Sequence, residues 1–146
     1  MIRHTARLGL AAVILALGAG AAMADDKRLV TVVTSDHPQT QLASMVLSTQ
    51  AMEQGASLHV LLCGPAGNMA LQDAPESVTA PQPPRDASPQ GMLTGLIERG
   101  ATVEVCAIYL PGLGADESVL IEGVSVAQPP AMAGAMLDDD AIVWSF

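Results

Sequence analysis

Two cysteines, Cys63 and Cys106, carry most of the chemistry this sequence could perform, and His37 is the residue placed to assist them. Cys106 stands in GATVEVCAIYLPGLG, from Gly100 to Gly114. There an alternating β-branched run climbs to the thiol, and Pro111-Gly112 then breaks the chain. The pattern predicts a buried strand that delivers a thiol near its C-terminal end, the edge of an open α/β sheet where ligands collect. Near the start of a following helix such a thiol can be acidified, and the thiolate is the species that attacks a disulfide or a persulfide. Glu104, Asp116 and Glu117 lie close by in sequence and oppose this, since negative charge destabilises a thiolate. The residues alone leave Cys106 as either a nucleophile or a small core residue.

An even cysteine count also invites a Cys63–Cys106 disulfide. Closing that loop would stabilise the fold by about 4 kcal/mol on the chain-entropy model. The sequence does not say whether the two Cα atoms come within reach. His37, in SDHP after the first apolar run, falls at the same sheet edge. It is a candidate to assist a thiolate and equally a helix-cap residue. His59 lies within a strand and reads as a histidine with ordinary partners.

Other chemistries lack their signatures. The histidines and cysteines show no CxxC or HxxxH spacing, so no metal site is expected. Soft copper would suit the six methionines after Met23, but Met45 and Met52 share a helix core face and the set reads as packing. Gly64-Pro65-Ala66-Gly67 follows a strand yet lacks GxGxxG, and its proline removes an amide a phosphate would use. No serine occupies a GxSxG elbow. Neither a cofactor nor independent turnover is expected; a carrier is the most enzyme-like reading.

The elements that must position the thiols follow from the patterning. Leu29 to Thr34 is a β-branched run suited to a parallel strand covered on both faces. Pro38 opens a helix whose apolar face is expected to be Leu42, Met45, Val46, Thr49 and Met52, closed by Gly55. Ser57 to Cys63 is the second strand. From Asn68 to Pro89 five prolines sit among polar residues, which predicts a long loop with at most a short helix near Met69 to Leu71. Ser88-Pro89 caps a helix over Met92 to Arg99, and the Cys106 strand follows. An acidic turn at Asp116 to Ile121, a brief strand at Val124 to Ala127, a helix at Ala131 to Leu137 and a strand from Ala141 to Phe146 complete the chain. Such alternation calls for a parallel sheet between helices.

The first residues read as a secretory leader. Arg3, His4 and Arg7 precede an apolar run from Leu8 to Ala19, and Ala22-Met23-Ala24 supplies a cleavage pattern. Cleavage after Ala24 would leave residues 25–146 as one periplasmic domain. Four cationic side chains would then face fifteen acidic ones, a net charge of −11. That surface repels nucleic acid and anionic lipid, so neither nucleic acid nor a membrane is an expected partner.

The opening LVTVVTS, the central proline-rich insertion, VEVCAIYLPGLG, and LIEGVSVAQPPAMAGAML before a terminal strand together resemble the DsrE/DsrF-like family, its YchN-type branch above all. The likeness spans essentially everything after the leader. It implies a three-layer α/β/α sandwich with a five-stranded, mainly parallel sheet, assembled as a homotrimer or homohexamer. It also implies that Cys106 matches the cysteine which, in sulfur-relay members, carries sulfur as a persulfide between donor and acceptor proteins.

Overall fold

A computed structural model describes residues 27–146; the expected leader and cleavage point lie outside the described residues. Five strands form one sheet: β1 (Arg28–Val33), β2 (Ser57–Leu62), β3 (Thr102–Val105), β4 (Val124–Val126) and β5 (Ala141–Ser145). Their order across the sheet is β4-β3-β2-β1-β5, and every neighbouring pair is parallel. The helices are α1 (Pro38–Glu53), α2 (Glu76–Thr79), α3 (Pro89–Glu98), α4 (Tyr109–Leu113) and α5 (Pro129–Leu137). The architecture is the α/β sandwich with a five-stranded parallel sheet.

Side chains alternate across the sheet and divide the core in two. Leu29, Val33, Leu58, Val60, Leu62, Val103 and Val105 face the larger core with Met45 of α1 and Leu93 and Leu96 of α3. Val30 and Leu61 face the smaller one with Ala127 and Met132 of α5. Among the described residues one face therefore lies under α1 and α3 and the other under α5.

Helix α1 is rotated from the face hydrophobicity predicts: Met45 and Met52 of that face pack in the larger core, but Val46 does not. Gln41, Ser44, Met45 and Ser48 are its buried residues, while Val46 and Leu47 stand in solvent at 42% and 46% exposure. Small serines let the helix lie close to β1, and the Ser48 hydroxyl meets that of Thr31 at 3.0 Å in the core. A satisfied buried hydroxyl pair removes the penalty that would otherwise exclude both groups.

The proline-rich stretch is more ordered than its composition suggests. A 3₁₀ turn covers Gly64–Ala70, α2 forms within the expected loop, and Val78, Met69 and Ala70 join the larger core. Gln90 of α3 donates to the carbonyls of Met69 and Leu71 at 3.1 and 2.7 Å. Side-chain amides thus supply the backbone partners that prolines withhold. Pro111 does not break the chain either. It sits in the first turn of α4, where its missing N–H has no intrahelical partner to lose, and Gly114 ends that helix at φ 66°.

Tyr109 packs so closely on Gly67 that a Cβ there would overlap its ring. Gly67→Ala should therefore destabilise the fold by about 1–3 kcal/mol, the usual cost of overpacking. Urea melts of the two proteins check this, and coincident curves would show that the ring has room to yield.

Candidate functional site at the strand ends

Strands β2 and β3 pair in register up to Leu62 and Val105, so the next residue on each is a cysteine. The Cys106 N–H donates to the Leu62 carbonyl at 2.9 Å, and the Cys63 N–H to that of Val33 at 2.9 Å, extending the ladder one step past the strands. Neighbouring strands run about 4.8 Å apart. The two cysteine Cα atoms accordingly lie 5.0 Å apart, and a disulfide joins their sulfurs across 43 residues of chain. The backbone ladder alone creates this proximity; no loop has to fold back to make it.

Both cysteines are half-buried on the face covered by α5. They pack with Val32, Ala127, Met132 and Met136, the two methionines one helical turn apart. Gly64, Pro65 and Ile108, the last at 81% exposure, flank them on the solvent side. The pair therefore has an apolar floor and an open edge, which suits thiol chemistry with an incoming partner better than a sealed structural bridge.

The segments that follow the two cysteines are bound to each other. The Cys106 carbonyl accepts the Tyr109 N–H at 2.8 Å and so starts the turn into α4. The Tyr109 hydroxyl then donates to Asn68 Oδ1 at 2.9 Å, within the 3₁₀ turn after Cys63. Burial pushes the Tyr109 phenol above its ordinary range.

His37 is the residue immediately before α1, exposed at the same edge. Its carbonyl accepts the Gln41 N–H at 3.0 Å and its side chain makes no capping bond. His59 and Glu104 are joined by a hydrogen bond that the sequence did not single out, Nε2 to Oε2 at 2.7 Å. Both share strand parity with the cysteines, and that parity was the available signal. His59 is in register with Thr102 and Glu104 with Leu61, so Glu104 reaches diagonally toward the strand starts, away from Cys106. Asp116 is likewise engaged: hydrogen bonds from the Ser118 hydroxyl and N–H hold its carboxyl below the usual carboxylate range.

Among the described residues no group of three or more His, Cys, Asp or Glu is placed to hold a metal ion. A cavity of about 200 Å³ lined by Arg28, His59 and Thr102 opens at the strand starts, the end opposite the cysteines.

A five-stranded parallel sheet between helices, with a cysteine one residue beyond its third strand, places the chain in the α/β sandwich class. Residues 27–144 match the DsrE/DsrF-like family, and the chain belongs to it. The structure is similar to that of the YchN protein from E. coli, with a TM-score of 0.67 and 22% identity over 82% of this chain and 99% of that one. It is similar also to MTH1491, a protein of unknown function from Methanobacterium thermoautotrophicum, with a TM-score of 0.60 and 18% identity over 83% of this chain and 100% of that one. Comparison with curated proteins gives no match.

Tyr109 provides a test of the coupling between the two cysteine segments. Its folded phenol titrates above the unfolded one, near 10. Its contribution is therefore fully present below that pH and is lost as pH rises through the folded value. Tyr109→Phe should cost roughly 1 kcal/mol at neutral pH, because Asn68 loses its donor. It should also lose less stability than the wild type between neutrality and about pH 11. Denaturant melts across that range decide it, and parallel alkaline losses would show that Tyr109 does not contribute.

Proposed function

We propose that this protein is an exported sulfur carrier, with Cys106 the residue that accepts sulfane sulfur and passes it on. The observation that carries the reading is the placement of Cys106: half-buried, one residue beyond β3, at the open C-terminal edge of the sheet. Family membership supports it, as does the apolar, methionine-lined floor, which suits a soft, polarisable sulfur atom. The leader expected at residues 1–24 supports a periplasmic setting for this work. Donor and acceptor would be sulfur-handling proteins that reach this edge.

The Cys63–Cys106 disulfide supports a second reading, a structural or ligand-binding oligomer in which the bridge only staples two strands. The readings differ in what Cys106 does once reduced. In Cys63→Ser, which cannot form the bridge, a low-molecular-weight persulfide should add about 32 Da to the protein, one sulfur atom. The gain should vanish when Cys106→Ser is added. Intact mass spectrometry reads this directly, and an unmodified Cys106 would leave the structural reading in place.

Self-assembly as a homotrimer or homohexamer is part of the same proposal. Among the described residues strand β5 pairs only with β1, and an apolar groove of about 390 Å³ runs beside it, lined by Leu47, Ala51, Ile142 and Trp144. Leu47 and Ile142 stand exposed there, and Val143 stands exposed on the other face of the same edge strand, an apolar surface of the kind that assembly covers. Analytical ultracentrifugation should find a trimer or hexamer that Leu47→Glu weakens. A wild-type monomer would overturn this.

A further inference from the structure

We propose that Cys63 is a resolving thiol that expels the sulfur carried by Cys106 as sulfide, so that the protein reduces sulfane sulfur as well as holding it. The inference rests on the carrier reading above and assigns Cys63 a chemical role within it. The juxtaposition that carries it is the extended ladder of β2 and β3, which fixes the two Cα atoms 5.0 Å apart on one sheet face.

The chemistry balances in three exchanges. The Cys106 thiolate attacks the terminal sulfur of a donor persulfide R–S–SH. A Cys106 S–S bond forms, the donor S–S bond breaks, and the donor leaves as the thiolate RS⁻. The Cys63 thiolate then attacks the inner sulfur of the Cys106 persulfide. The Cys63–Cys106 bond forms, the persulfide S–S bond breaks, and the electron pair departs on HS⁻. Two protein thiols have been oxidised to the disulfide, and one sulfane sulfur has been reduced to sulfide. A dithiol reductant restores both thiols by exchange, itself becoming a disulfide.

Three features of the structure favour the second exchange. The product of the attack is the disulfide the structure contains, so the sheet need not rearrange to form it. The backbone N–H of each cysteine is bound to a neighbouring strand, at Leu62 and Val33, which fixes the positions from which the two thiols extend. Reacting groups fixed in this way exchange with effective concentrations far above those of any free thiol. The half-open edge also lets a small anion leave without opening the core. Attack by Cys63 on the outer sulfur would merely move the persulfide between the two residues, and that traffic ends whenever the inner sulfur is taken.

The test compares fully reduced wild type, Cys63→Ser and Cys63→Ala after a single equivalent of glutathione persulfide, with no dithiol present. Wild type should release one equivalent of sulfide per chain and end about 2 Da lighter than its dithiol form, the mass of two hydrogens. Both variants should instead retain a gain of about 32 Da on Cys106 and release several-fold less sulfide. Agreement between the two variants, with circular dichroism matching the wild type, separates chemistry from misfolding. If wild type holds the added sulfur as long as the variants do, the resolving role is overturned while the carrier reading survives. If Cys106 takes up no sulfur even in the variants, both fall together.

Discussion

The in-register parallel pairing of β2 with β3 is the constraint on which the site depends. A slip of one residue would send Cys63 to the opposite face and away from Cys106, because side chains alternate with a period of two. The register is secured well below the site. Val60 and Leu62 share the larger core with Val103 and Val105, and Leu61 occupies the smaller core on the other face. A one-residue slip of either strand would exchange its two sets, burying His59 or Glu104 where apolar residues now pack. Hydrophobic burial of the residues leading up to the cysteines therefore sets their spacing.

The two faces of the sheet do different work. The α1–α3 face holds the larger core and supplies most of the apolar burial. The α5 face is thinner, with four buried residues and a fringe that includes both cysteines. A thiol sealed into the larger core would be inert, and one on an exposed loop would lack a fixed neighbour. The fringe of the smaller core, at the strand ends, offers restraint and access together.

Strand order and placement were largely legible from β-branched runs separated by Gly and Pro, and Cys106 fell at the expected strand end. The even cysteine count invited the pairing of Cys63 with Cys106, but their coming within reach was not legible, because register is a relation between two strands and no single run encodes it. The face of α1 was misread for a comparable reason. Hydrophobic periodicity favoured Val46 over Ser44 and Ser48, whereas the sheet selects small residues that permit close approach and a hydroxyl partner at Thr31. Pro111 and the proline-rich stretch show the same limit. Their order comes from distant partners such as Gln90 and from positions in a first helical turn, not from local propensity.

The acidity of the chain, a net −9 over its full length, initially argues against a working thiolate. The structure shows how the relevant acids are disposed. Glu104 shares the cysteine face but is drawn toward His59, against the direction of the strand ends. Asp116 is held by Ser118, where it caps a 3₁₀ turn. What surrounds the sulfurs is instead valine, alanine and two thioethers. An apolar, uncharged floor disfavours a buried thiolate but favours the neutral disulfide and persulfide forms. In the proposed carrier, that floor would favour the persulfide and disulfide states and leave charge to the moments when a thiolate attacks or HS⁻ departs at the open edge.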